Sequence, residues 1–138
     1  MHPYHHALSS VKKFGGSVED YLPIHKWFDA SKSGWANARH RAMRHHSEGI
    51  FWCEEHFGET IKNSAGKTIP VRLIGEQHVL EDLKVIPTMK DWLENMEMKK
   101  WMIITNSLSS QEKEQLDNNE PIAISIKGTV EIKKSEYN

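Results

Sequence analysis

From Ser33 to Phe57 the chain reads SGWANARHRAMRHHSEGIFWCEEHF, a run with no proline, and this stretch constrains the fold more than any other. Ala36, Ala38, Ala42, Met43 and several Arg and Glu residues favour a helix interior, and Gly58 stands where a left-handed cap would end it. A stripe at helical spacing runs Ala38, Ala42, His46, Gly49 or Ile50, Cys53, Phe57, and from Ile50 to Cys53 the pattern is apolar on every side. The spacing predicts a long central helix over about residues 33–57, with other elements around its second half. Four of the nine histidines fall here (His40, His45, His46 and His56), with Arg39, Arg41 and Arg44 among them. A turn of about 100° per residue sets His46 on the apolar face. It sets His45 beside Arg41, Glu48 and Trp52, and His40 beside Arg44, Ser47 and Phe51.

The remaining segments arrange themselves around that helix. Pro3 suits the first turn of a short helix over Tyr4 to Lys13, ended by Gly15 and Gly16. Ser17 with Glu19 and Asp20 starts another, which Pro23 is expected to break or restart before Ile24 to Ala30. After Gly58 the period changes to two. That predicts a β-hairpin over about residues 59–74, turning at Asn63 to Gly66, with a second strand from Thr68 to Ile74 and Pro70 at an edge. Gly75 to Leu83 reads as a helix, and Thr88 with Asp91 starts one more. Met96 to Lys100 reads as a linker. Beyond it, Ser109 with Glu112 caps a helix over about 110–117, and Ile122, Ile124, Ile126, Val130 and Ile132 alternate as a small β element over about 121–133. The fold class expected is α+β, mainly helical. A histidine-rich module over 1–97 would carry an extension over 98–138 packed on the same domain.

Composition narrows the function. At 138 residues, 38% hydrophobic and with five tryptophans, the chain can bury a core. A net charge of −1 gives no electrostatic reason to expect nucleic acid, and no apolar run is long enough to span a membrane. A lone Cys53, and a start (MHPYHHALSS) without the pattern of a signal peptide, predict a cytoplasmic protein. Every histidine lies at or before residue 78, and that asymmetry needs a cause.

Two histidines have an acid four residues on, His25 with Asp29 and His78 with Asp82, and His45 has Glu48 at three. Such spacing puts imidazole and carboxylate on one helix face, where both could ligate a divalent metal such as Zn, Mn, Fe or Ni. If the N-terminal helix packs alongside, His5 or His6 joins them. The expected ligand set is therefore drawn from His5, His6, His25, Asp29, His45, His78 and Asp82. Chance pairs on exposed helix faces are the plain alternative. His46 interrupts an apolar stripe, so it is either a hydrogen-bonded core histidine or a catalytic one, with Glu48 as a base for metal-bound water. His40, Arg41 and Arg44 could hold a phosphate or carboxylate, or simply be a solvated basic face. HExxH, paired CxxC, glycine-rich phosphate loops, GxSxG and a His-Asp dipeptide are all missing, which counts against the familiar enzyme classes.

The words RHRAMRHHSEGIF and IGEQHV, with HHALSSVKKFGG and EDYLPIHKWFDASK before them, resemble a family of small proteins of bacteria and their phages over about residues 2–93. The resemblance implies a self-contained histidine-bearing module and a bacterial or phage source, and it carries over no catalytic residue. Two functions are expected, and whether either is enzymatic stays open. One is a His/carboxylate-lined pocket binding a divalent metal or an anionic, phosphate-type ligand, with hydrolysis as its enzymatic form. The other is a binding protein encoded by a phage or mobile element, an inhibitor or sponge acting on a host defence protein. Either is compatible with an oligomer.

Overall fold

The structure, a computed structural model, describes residues 1–103 and 109–117. It divides into two units, Met1–Asn95 and Met96–Asn138. In the first unit the order is α1 (Pro3–Phe14), α2 (Val18–Asp29), 3-10 turns over Ala30–Ser33 and Ala38–Met43, α3 (Ser47–Phe57), β1 (Thr60–Lys62), β2 (Thr68–Pro70), α4 (Val71–Leu83) and α5 (Met89–Leu93). The mainly helical α+β class holds. Among the described residues no helix is long and apolar enough to cross a membrane.

Helices α1 and α2 pack together, and α4 packs against α1, α2 and α3. Their facing side chains make one core of Ala7, Tyr21, Ile24, Phe28, Ile50, Cys53, Ile69, Val71, Ile74 and Val79. Burying a side chain the size of Phe28 stabilises by about 1.5–3 kcal/mol, and its ring forms the apolar wall on which the histidines lie. Tyr21 adds a polar anchor: its hydroxyl donates to the Gly15 carbonyl at 2.7 Å and accepts from Asn63 Nδ2 at 3.1 Å. The hairpin turn is thereby tied to the α1–α2 corner. Asp20 does the same from the other side, accepting from the N–H of Ser17 at 2.7 Å and of Ser64 at 3.0 Å.

The continuous helix expected over 33–57 is not present. Asn37 Oδ1 accepts from the Arg39 N–H at 2.9 Å and caps a 3-10 turn, which ends at Arg44. His46 then takes an extended conformation (φ −161°, ψ 172°) and α3 begins at Ser47. Gly49 makes room for this break. A Cβ there would stand 1.9 Å from the Arg44 carbonyl oxygen, so the backbone of Arg44 crosses the first turn of α3 where only hydrogen fits. Gly58 does end α3 with a positive φ of 96°. The strand expected from Thr68 to Ile74 stops at Pro70, because the ring suits a helix start and Val71 opens α4 instead. Pro23 does not break α2: it is exposed, and the helix forgoes one hydrogen bond on its outer side.

The second unit contributes a 3-10 turn (Lys100–Met102) and α6 (Ser110–Asp117) among the described residues. The Ser109 N–H donates to Glu112 Oε2 at 2.9 Å, and the Glu112 N–H to Ser109 Oγ at 3.2 Å. This is the expected capping box. The β element expected over 121–133 lies outside the described residues.

Candidate metal centre

One face of α4 presents His78 and, one turn later, Asp82, with their facing atoms 3.4 Å apart (Nε2 to Oδ2). Asp29, at the last position of α2, and His45, between the 3-10 turn and α3, reach the same point. His45 Nε2 lies 2.9 Å from Asp82 Oδ2, 3.2 Å from His78 Nε2 and 3.5 Å from Asp29 Oδ1. His78 Nε2 lies 3.3 Å from Asp29 Oδ1. These are five of the six edges joining four ligand atoms. A regular tetrahedron has edges about 1.63 times its centre-to-corner distance, so zinc bonds of about 2.0–2.2 Å require edges of about 3.3–3.6 Å. Four of the five match to within about 0.1 Å, and the fifth is somewhat short. Both imidazoles are fully buried, and the side chains of Asp82 and Asp29 are 2% and 9% exposed.

Electrostatics balance inside this group. Burial would raise the Asp82 carboxyl, but its contacts with His45, His6 and His78 hold it far below the usual carboxylate range. Burial would likewise raise Asp29, and its contacts with His78 and His45 override that. Burial would lower His78, yet Asp29 and Asp82 together push it up. For His45 burial wins over Asp82 and the ring is held down. His25, behind them, is pushed down to about 2 by burial and by the neighbouring imidazoles. The two acids thus draw positive charge to their own point, whether proton or metal ion.

An outer layer surrounds the four. Asp82 turns Oδ2 inward, while Oδ1 faces the N-terminal amino group at 3.3 Å, His6 Nε2 at 3.2 Å and Arg41 at 3.8 Å. The His6 contact is close but not aligned as a hydrogen bond. His6 Nε2, His45 Nδ1 and Arg41 Nε are buried without a hydrogen-bond partner among the described residues. His6 Nδ1 bonds Glu81 Oε1 at 2.8 Å, and Ser9 Oγ donates to Glu81 Oε2. Nitrogens of His6, His25 and His78 also lie near one another, but the His6 ring overlies that of His78 with centroids 3.9 Å apart. Ring lone pairs point outward in the ring plane, so overlying rings cannot aim at one ion.

Of the candidate ligands, Asp29, His45, His78 and Asp82 therefore meet, with His6 and His25 behind them. His5 does not: it is exposed on α1, one residue off the inward face, and its ring meets Tyr4 and His2. The expected pairing of His25 with Asp29 is replaced by contacts of Asp29 with His45 and His78, and His25 turns to Ser10. His46 is the N-cap of α3: Nδ1 accepts from the Gly49 N–H at 2.9 Å and Nε2 meets the Met43 carbonyl at 3.2 Å. Glu48 accepts from the Met89 N–H at 2.6 Å and so pins α5 to α3, rather than facing His45. Arg44 donates to the Trp27 carbonyl at 2.5 Å with its guanidinium over that indole. His40 bonds Ser31 at 3.0 Å. Of the three residues expected to hold an anion, Arg41 alone reaches an acid of the centre. Ser10, Gln77 and Glu81 were not legible as site residues, although Gln77 and Glu81 repeat the i, i+4 spacing of His78 and Asp82 one position earlier.

Residues 1–102 match the model of a family described as a domain of unknown function, DUF6915. No curated protein and no solved structure matches the chain.

Proposed function

We propose that this chain, which belongs to the DUF6915 family, binds one divalent transition-metal ion, with zinc favoured, through His45 Nε2, His78 Nε2, Asp29 Oδ1 and Asp82 Oδ2. The observation that carries the reading is the set of five edges, 2.9 to 3.5 Å, of a tetrahedron sized for zinc. Two neutral nitrogens and two carboxylate oxygens are a donor set that suits zinc, and manganese or iron would ask for more oxygen or an open position. All four corners come from the protein, two fully buried imidazoles and two carboxylates whose side chains are almost wholly covered, which is the pattern of a closed, structural site. The ion would hold α2, the His45 turn and α4 together. The work of the protein would then be done at its surface, where Trp35 and Phe51 are 53% and 62% exposed, as anchors for a protein partner.

A hydrolytic reading draws on Arg41, whose buried Nε has no partner among the described residues and whose guanidinium stands beside Asp82. In that version Asp29, the most exposed of the four, yields its corner to a water, and Arg41 receives a phosphate-type anion. Elemental analysis of untagged protein, followed by X-ray absorption, separates the two. One ion per chain with four light-atom ligands and no activity on phosphate esters supports the closed centre. A water ligand with phosphate-ester turnover supports the second. Protein that takes up no ion from zinc-supplemented medium overturns both.

A further inference from the structure

Three polar side chains outside the tetrahedron form a hydrogen-bonded chain that ends on His78, and its proton order can be read from the acceptors alone. It starts at Gln77. Nε2 of Gln77 lies 3.1 Å from the His6 carbonyl and 3.0 Å from Glu81 Oε1, both acceptors, so the amide nitrogen points there and Oε1 faces Ser10. Ser10 Oγ is 2.8 Å from Gln77 Oε1 and 3.1 Å from the His6 carbonyl, and has one proton to give. Ser10 is the one donor to Gln77 Oε1 among the described residues, so its proton goes there, and the third neighbour of Oγ, His25 Nε2 at 2.8 Å, is the donor. Among the described residues the hydrogen-bond partners of His25 are Ser10 and His78, neither an acid, so the ring is neutral and its Nδ1 is bare. His25 Nδ1 stands 2.9 Å from His78 Nδ1, and a bond between them requires the proton on His78. A neutral His78 then has no proton on Nε2, the atom that forms a corner of the tetrahedron.

We infer that Gln77, Ser10 and His25 fix the tautomer of His78, holding its proton on Nδ1 and presenting Nε2 to the metal ion as a free lone pair. This rests on the metal-binding reading above. His25 is a positioning residue: it touches His78 and not the ion. Partners of this kind orient a ligating imidazole and raise its basicity, and losing one costs about 10–100-fold in metal affinity.

The test uses the full chain labelled with nitrogen-15 at histidine. Long-range proton–nitrogen correlation spectra, recorded without and with equimolar Zn²⁺, report the tautomer of each ring. His25 is expected with its proton on Nε2 in both, and His78 with its proton on Nδ1 and zinc on Nε2. Competition with a chromophoric chelator gives zinc affinity. Ser10→Ala and His25→Leu are expected to weaken it by about 10–100-fold, and His25→Asn, whose Oδ1 replaces Nδ1 as acceptor, to recover most of the loss. Zinc on His78 Nδ1, a His25 proton on Nδ1, or a folded Ser10→Ala protein with wild-type affinity overturns the inference and leaves zinc binding intact. Wild-type protein that binds no Zn²⁺ overturns the metal reading itself, and this inference with it.

Discussion

His45 and His46 are neighbours in the chain, both fully buried, and they serve two different regions. His45 turns its Nε2 toward a second imidazole and two carboxylates. His46 turns the other way, and both its nitrogens are used by backbone, the Gly49 N–H and the Met43 carbonyl. Burial is the same on both sides of that peptide bond. The difference lies in the partners: another imidazole nitrogen and carboxylate oxygens on one side, backbone groups already matched on the other. A buried histidine is a candidate for chemistry only when its nitrogens face other ligands rather than the main chain.

Substitution separates the two histidines, and the largest effect belongs to the ligands. His45→Ala and His78→Ala should each abolish stoichiometric metal, measured by elemental analysis, while His46→Ala should keep it. For the wild-type protein, free Zn²⁺ at about a thousand times Kd should add about 4 kcal/mol to stability in denaturant titration, and the two ligand variants should gain nothing. Equal metal content in all three variants would erase the distinction.

The next effect tests the boundary between the regions. Gly49→Ala places a methyl 1.9 Å from the Arg44 carbonyl oxygen, and chemical denaturation should show a loss of about 1–3 kcal/mol from overpacking. His46→Ala should cost about 1 kcal/mol as a lost N-cap, and His46→Asn, which restores a cap acceptor, should cost less. The smallest effect is one of reactivity. Burial pushes the Cys53 thiol up to about 12, so an aromatic disulfide reagent at pH 8 should leave it unmodified until the protein unfolds. The neutral thiol adds stability below its ordinary range, and that contribution fades as pH rises through about 12.

Much of the site could be read from spacing, and the failures have physical causes. His78 and Asp82 share a helix face because α4 is regular there. His25 and Asp29 also share spacing, but Asp29 is the last residue of α2, and its carboxylate reaches across to α4 instead. His46 interrupts an apolar stripe and is buried, as the pattern implied, yet for a cap whose geometry depends on Gly49. In the sequence that glycine stands only as an alternative to Ile50 in the apolar stripe. Its close approach to Arg44 is a tertiary contact, and local propensity carries no trace of it. The mainly helical class, the hairpin and the capped starts at Ser17, Thr88 and Ser109 were legible because each is a local signal.

The corners of the tetrahedron come from stretches far apart along the backbone: His45 and His78 are 33 residues apart, and Asp29 and His78 are 49. An ion shared among them would close both loops at once. That is how a disulfide restrains an unfolded chain, and longer loops gain more. With a single cysteine this chain has no internal disulfide to draw on. Its cross-bracing would come from coordination, immune to reducing agents and undone by a chelator.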